Sequence, residues 1–233
     1  MSADVRLIAL HRPLLAAGGG VDQCGARDAV AGATPRFPGH DQPRVPAAPG
    51  SCATATPAML EMHAAQARAH GIAGFCFQID AADTAGAAVA VIAAWLEQAR
   101  DPLPFCLMWC NAPAIGATSG GDAAAHAPDP GGALFLNHLL ALAAHPAYLR
   151  IGAAPLVLVE RLDCLAAPAA AMAEWRTRAR AALGVELFLV AAQANWQGDP
   201  SRHGFDAAVS WPPAGVMLEP LNGVLGAPAG AVA

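Results

Sequence analysis

Apolar residues occur along this chain in short continuous runs, separated by longer stretches of mixed small, apolar and polar residues. Continuous apolar runs of about four to eight residues are typical of parallel strands that are covered on both faces. The pattern predicts six strands, at residues 5–10, 74–79, 105–109, 155–159, 187–191 and 205–210.

Four helices are predicted between these strands, at residues 56–70, 82–100, 133–144 and 168–183. The first has the clearest limits, because Thr56 and Pro57 suit the N-cap and first helical position and Gly71 suits the C-terminal cap. Strict alternation of strand and helix favours an α/β architecture with a parallel sheet. A complete (β/α) barrel has about eight units. We therefore expect a TIM-barrel-like fold with about six of those units, open or incomplete.

The whole chain has 233 residues, of which 55% are hydrophobic, and it can bury one core. Long loops rich in Gly and Pro are predicted at residues 13–55 and 111–132. We expect a single domain at residues 1–215, followed by an irregular tail rich in Gly, Pro and Ala at residues 216–233.

Charge and composition exclude several classes of partner. The net charge is -5 and the basic residues are scattered, which argues against a nucleic-acid-binding surface. The longest apolar stretch, residues 85–96, is shorter than the roughly 20 residues of a membrane-spanning helix. The N-terminus lacks the features of a signal peptide, so a cytoplasmic location is expected.

Cysteine and histidine positions indicate no cofactor and no metal site. The 6 cysteines contain no C-x-x-C pair, and we interpret them as reduced, buried thiols. The 8 histidines show no ligand spacing with Asp, Glu or Cys.

Five segments, in the same order along the chain, resemble those of one known family. They read P-R-F-P-G-H-D-Q-P at 35–43, G-I-A-G-F-C-F at 71–77, F-C-L-M-W-C-N at 105–111, H-P-A-Y-L-R-I at 145–151 with P-L-V-L-V at 155–159, and G-F-D-A-A-V-S-W-P-P at 204–213. The family is that of the WbsX-type domains, which belong with the glycoside hydrolase family 99-like barrels. The resemblance implies a glycosyltransferase or hydrolase-like protein of bacterial polysaccharide biosynthesis, such as that of O-antigen or capsule, with a glycan or glycosyl donor as its partner.

The chain departs from the family at positions where the resemblance implies functional carboxylates. Ala26, Ala112 and Ser210 stand where the family has Glu. Any glycosyl chemistry therefore needs other acidic residues.

Asp80 and Glu160 are the candidate catalytic residues, because each follows a predicted strand. Glycoside cleavage usually needs two carboxyl groups that flank the scissile bond, and barrel enzymes place them at the carboxyl ends of strands. Asp163 is a weaker third candidate. The alternative is structural: Asp80 begins a loop or caps the helix from Ala82, and Glu160 pairs with Arg161 or with a nearby arginine at the rim.

Six residues at or beyond strand ends, or in the loop that resembles the family, are candidate sugar ligands: His40, Trp109, Asn111, Arg161, Gln193 and Trp211. Aromatic faces and a few fixed polar groups suit sugar binding. For two of them a structural role stays open: Trp109 as barrel packing, and His40 as a brace hydrogen-bonded to its own loop.

Three functional hypotheses remain at this stage. The chain is a glycan-processing domain with a rearranged carboxylate pair, a catalytically inactive barrel that binds a glycan or a partner enzyme, or a decayed fragment. Strands left without neighbours at the ends of an incomplete sheet also predict self-association.

Overall fold

The computed structural model describes residues 6–13, 32, 34–40, 55–81, 83, 85–111, 129, 131–193 and 198–210, with only the backbone of Gln193. The strands are β1 (Leu7–His11), β2 (Ile72–Asp80), β3 (Phe105–Cys110), β4 (Arg150–Ile151), β5 (Ala154–Val159), β6 (Phe188–Gln193) and β7 (Ala207–Ser210). The helices are α1 (Pro57–Ala69), α2 (Ala87–Gln98), α3 (Ala133–Ala143) and α4 (Pro168–Leu183), with short 3-10 turns at Leu162–Cys164 and Pro200–His203.

Six parallel strands form one curled sheet in the order β1-β2-β3-β5-β6-β7. This arrangement confirms the predicted alternation, and the curvature is that of part of a barrel. The short strand β4 pairs antiparallel with β5, and the sequence pattern did not predict it. None of the helices in the described ranges is long and apolar enough to cross a membrane.

The two faces of the sheet differ in burial. On the outer face, Phe77 packs against Trp95 of α2, with ring centroids 6.0 Å apart. Trp109 lies 6.0 Å from Phe135 of α3 and 5.5 Å from Trp175 of α4. The inner face is only partly covered, and several of its side chains are half-buried: Gln78, Asp80, Leu156, Leu158 and Glu160.

Side-chain caps set the start of the first two helices. Thr56 Oγ1 accepts a hydrogen bond from the Met59 amide at 3.2 Å, as the sequence predicted. Helix α2, by contrast, begins at Ala87 rather than Ala82, because the Asp83 carboxylate accepts from the amides of Ala87 (2.9 Å) and Ala88 (2.8 Å). The N-cap residue is Gly86, and Asp83 rather than Asp80 supplies the carboxylate that bonds the first amides of this helix.

Tyr148 joins β3 to β5 near their amino ends. Its hydroxyl accepts from the Leu107 amide at 3.1 Å and donates to the Leu156 carbonyl at 2.9 Å. The side chain is buried, and burial raises the pKa of Tyr148, so the phenol remains protonated. This link holds together the two strands whose carboxyl ends carry the candidate site.

Candidate functional site

Three side chains form a row at the carboxyl ends of neighbouring strands. Asp80 ends β2, Cys110 ends β3, and Glu160 directly follows β5. Asp80 pairs in register with Cys110, and Trp109 pairs with Val159, which brings Glu160 beside Cys110. Strands lie about 4.8 Å apart in a sheet, so the Cα atoms of Asp80 and Glu160 are roughly 10 Å apart. We call Asp80, Cys110 and Glu160 the carboxylate rim.

Asp80 is held by an arginine from the next strand. Arg12, just beyond the end of β1, donates from Nη2 to Asp80 Oδ2 at 2.6 Å. The Asp80 side chain is 27% exposed, so solvent can reach the carboxylate. The backbone carbonyl of Asp80 accepts from the Asp83 amide at 2.9 Å, which begins the turn after β2.

Cys110 lies beside Glu160 in the middle of the rim. Burial raises the pKa of the Cys110 thiol, and the nearby Glu160 carboxylate raises it further. The thiol therefore stays protonated and remains a donor. Glu160 itself is half-buried, and its amide donates to the Trp109 carbonyl at 3.0 Å, which continues the ladder between β3 and β5.

Arg161 and Asp163 form an ion pair beside the rim. Arg161 Nε and Nη2 donate to the two carboxylate oxygens of Asp163 at 2.7 and 2.5 Å. These hydrogen bonds raise the pKa of Arg161 and lower the pKa of Asp163. Glu160 adds a smaller electrostatic contribution to the raised pKa of Arg161, and the pairing of Glu160 with Arg161 stays a prediction.

Asn111 was predicted to bind sugar, but its contacts are with backbone. Its side chain is 1% exposed. Oδ1 accepts from the Arg161 amide at 2.8 Å and Nδ2 donates to the Arg161 carbonyl at 2.7 Å. These contacts join the ends of β3 and β5 and engage both side-chain polar atoms, and the predicted sugar contact stays a prediction.

Trp109 belongs to the core rather than to an open binding surface. It is 1% exposed and packs between the sheet and helices α3 and α4. A sugar needs an accessible ring face for stacking, so this burial supports the packing alternative, and the predicted sugar contact stays a prediction without structural support.

His40 braces the loop in which it lies, as the structural alternative had it. Its Nδ1 accepts from the Arg36 amide at 3.0 Å, and its own amide donates to the Phe37 carbonyl at 3.1 Å. The ring stacks on Phe37 with centroids 4.7 Å apart. Phe37 is 62% exposed and offers the free aromatic face that Trp109 lacks. Sequence analysis missed Phe37, although it lies in the segment that resembles the family.

The remaining candidates are only partly within the described residues. Gln193 pairs with Ser210 at the end of β6, and Ser210 is exposed on β7. The Gln193 side chain, Trp211, Ala26 and Ala112 lie outside the described residues. Among the residues that are described, no three His, Cys, Asp or Glu side chains converge as metal ligands.

Comparison with known proteins gives two findings. The chain matches a family described as glycosyltransferase WbsX over residues 27–224. It is also 34% identical, over 184 residues, to two proteins named uncharacterized protein WxcX, from two strains of Xanthomonas campestris pv. campestris. Each alignment covers 77% of this chain and 26% of the relative, so the chain spans about a quarter of the length of these curated relatives. No solved structure matches the chain.

Proposed function

Because the chain belongs to the glycosyltransferase WbsX family, we propose that it transfers or hydrolyses a glycosyl group at the carboxylate rim. Family membership supports a carbohydrate-active role. By the same resemblance, we propose that this activity belongs to bacterial polysaccharide biosynthesis, with a glycan or glycosyl donor as substrate. The cytoplasmic location expected from the N-terminal sequence stays a prediction.

One observation carries the proposal: Asp80 and Glu160 lie at the same end of the sheet, on the same face, with one strand between them. Their Cα atoms are roughly 10 Å apart, and both side chains extend from the inner face of a curled sheet. Catalytic carboxyl groups of glycosidases are about 5 to 9.5 Å apart. The spacing of the two strands therefore suits a carboxylate pair on either side of a glycosidic bond.

The surroundings of the pair support this use. Arg12 holds Asp80 at 2.6 Å, and Cys110 lies beside Glu160, so each carboxylate has a polar neighbour on the adjacent strand. A carboxylate that is held in a productive orientation transfers a proton faster than one that moves freely. We further propose that Arg161 and the exposed ring of Phe37 contact the sugar, together with Gln193 and Trp211.

The test is turnover of a panel of mannosides, rhamnosides and nucleotide sugars by the wild-type chain and by two rim variants. Asp80→Asn and Glu160→Gln are each expected to lower turnover about 100-fold or more, as loss of a general acid or base does. Asp101→Asn and Glu174→Gln are matched controls, because both side chains are exposed away from the rim. Unchanged turnover in both rim variants would contradict the proposal.

A second candidate function is glycan binding without catalysis. It is favoured by Ser210, the last residue of β7, which carries a hydroxyl where the family resemblance implies a carboxylate. This alternative predicts ligand binding with no turnover of any donor. Turnover that depends on Asp80 or Glu160 would exclude it.

A further inference from the structure

We propose that Cys76 and Cys106 are a redox pair that hydrogen peroxide oxidises reversibly to a disulfide across β2 and β3. The inference concerns the inner face of the sheet below the rim and does not depend on the proposed glycosyl chemistry. It makes the pair an oxidative modification site, whereas the sequence indicated only reduced thiols.

The register of the sheet places the two thiols side by side. Cys76 and Cys106 are direct partners on neighbouring parallel strands, so both side chains point to the same face. Cys106 is also the largest cause of the raised pKa of the Cys76 thiol, ahead of burial, as expected for two adjacent thiols. Directly paired Cα atoms in a sheet are about 4.8 Å apart, which falls within the range of about 4.4 to 6.8 Å seen for disulfides.

The other described cysteines do not compete for this pairing. Cys110 lies on the same strand as Cys106, four residues further on, which at a rise of about 3.3 Å per residue puts it roughly 13 Å away. Cys164 lies in the 3-10 turn after β5, close to Arg161 and Asp163. Among the described thiols, then, only Cys76 and Cys106 have the geometry for a bond.

Burial makes the reaction slow but does not block it. Both thiols are almost completely buried, and the neighbouring Cys106, together with burial, raises the pKa of Cys76. Leu10, the neighbour of Cys76 in register on β1, is 49% exposed, so the inner face is open next to the pair. Because Cys76 and Cys106 are only 3% and 1% exposed, peroxide is expected to reach them only when the sheet opens locally, which makes the reaction slow.

The chemistry balances with peroxide as the only co-reactant. One cysteine sulfur attacks a peroxide oxygen, the O–O bond breaks, and a sulfenic acid and one water form. The second thiol attacks the sulfenic sulfur, the S–S bond forms, and a second water leaves. The two thiols together lose two electrons and two protons, and peroxide is reduced to two waters. An added dithiol reverses the reaction by exchange.

The expected consequence is a cross-link within the sheet below the rim. Cys76 and Cys106 each lie four residues before a rim residue, Asp80 and Cys110, on the same strands. A disulfide there joins β2 to β3 without contacting either rim carboxylate. It restricts the unfolded chain, so the oxidised protein is expected to melt at a higher temperature.

The test treats the folded chain with hydrogen peroxide, blocks the remaining thiols, and maps linked peptides by mass spectrometry. We expect a linked peptide pair containing Cys76 and Cys106, a mass loss of two hydrogens, a raised melting temperature, and reversal of all three by a dithiol. In Cys106→Ser and in Cys106→Ala the linked pair disappears. The matched control Cys164→Ser retains it, although its thiol is also buried.

Other outcomes overturn the inference. These are unmodified thiols at both positions after prolonged treatment, sulfinic acid at either position in place of a bond, or linkage of Cys76 to a different cysteine. Because the linked peptide is identified in the wild-type chain, the result does not depend on whether the variants fold.

Discussion

Asn111 and Arg161 are joined by two hydrogen bonds between a buried side-chain amide and a backbone segment, at 2.8 and 2.7 Å. The first residue follows β3 and the second comes two positions after the end of β5. This clamp fixes the residues that directly follow Cys110 and Glu160. The geometry of the carboxylate rim therefore depends on Asn111, which the sequence had predicted to bind sugar.

Asn111→Ala is expected to destabilise the fold by about 2 kcal/mol, because two backbone groups near the rim lose their partner. Chemical denaturation followed by circular dichroism measures the change. Asn137→Ala is the matched control: Asn137 is exposed on α3, and its loss is expected to cost no more than about 0.5 kcal/mol. Equal effects of the two substitutions would contradict the role of the clamp.

Gly132→Ala is expected to cost more than about 2 kcal/mol, through steric overlap in the aromatic core. An added Cβ would lie 2.4 Å from Trp175 Cζ2 and 3.0 Å from the Trp109 ring, at a backbone φ of +74°. Gly152→Ala isolates the backbone contribution, because Gly152 has φ +61° and nothing within 4 Å of the added Cβ. Its cost is expected to be about 1 to 2 kcal/mol. Thermal unfolding of both variants measures the difference, and a smaller loss for Gly132→Ala would contradict this packing.

His11 gives the fold a dependence on pH. Burial, with a further contribution from His63, lowers the pKa of His11 to about 4, and its Nε2 lies 3.0 Å from His63 Nδ1. Its unfolded pKa is about 6.5, so the unfolded chain binds this proton first as pH falls. His11 therefore favours the folded state fully above pH about 6.5, and this contribution is lost between pH about 6.5 and about 4.

The measurement compares melting temperatures across that range for the wild-type chain and His11→Phe. Phenylalanine cannot titrate and suits a site whose neighbours include Phe75 and Phe77, at ring distances of 5.0 and 5.3 Å. The slope of stability with pH is expected to be shallower in the variant. Identical slopes would show that His11 does not carry the effect.

Self-association through the end strands of the sheet remains a proposal. β1 and β7 end the strand order, and Leu10 and Val209 on them are 49% and 36% exposed. We expect the sedimentation coefficient to rise with protein concentration, and Leu10→Lys with Val209→Lys to reduce that rise. Met62→Lys, at an exposed position on α1, is the control. A wild-type chain that stays monomeric at every concentration would contradict the proposal.

The elements were predictable because their signals are local. Helix α4 was predicted at residues 168–183 and occupies Pro168–Leu183, since Pro168 suits the first turn and Gly184 ends the helix in a left-handed conformation. Helix α2 began later than predicted, because an apolar pattern does not reveal that Asp83 caps amides four and five residues ahead.

Contacts at the site were less predictable because they depend on register and on side-chain direction. The sequence identified Asp80 and Glu160 as residues at strand ends, and the sheet brings them to the same face. It could not show that Trp109 faces the helices while Cys110, the next residue, faces the rim. Alternation along a strand decides such roles, and a shift of one residue reverses them.

The most direct measurement of the central claim is thermal unfolding of the chain with and without mannosides, rhamnosides and nucleotide sugars. A ligand that binds only the folded state raises its melting temperature. We predict a cooperative unfolding transition. One ligand class is expected to raise the melting temperature of the wild-type chain and of Glu174→Gln, and to raise that of Glu160→Gln and Asp80→Asn less or not at all. An equal shift in all four proteins would contradict the assignment of the site to the carboxylate rim, and the absence of a cooperative transition would favour the decayed-fragment hypothesis.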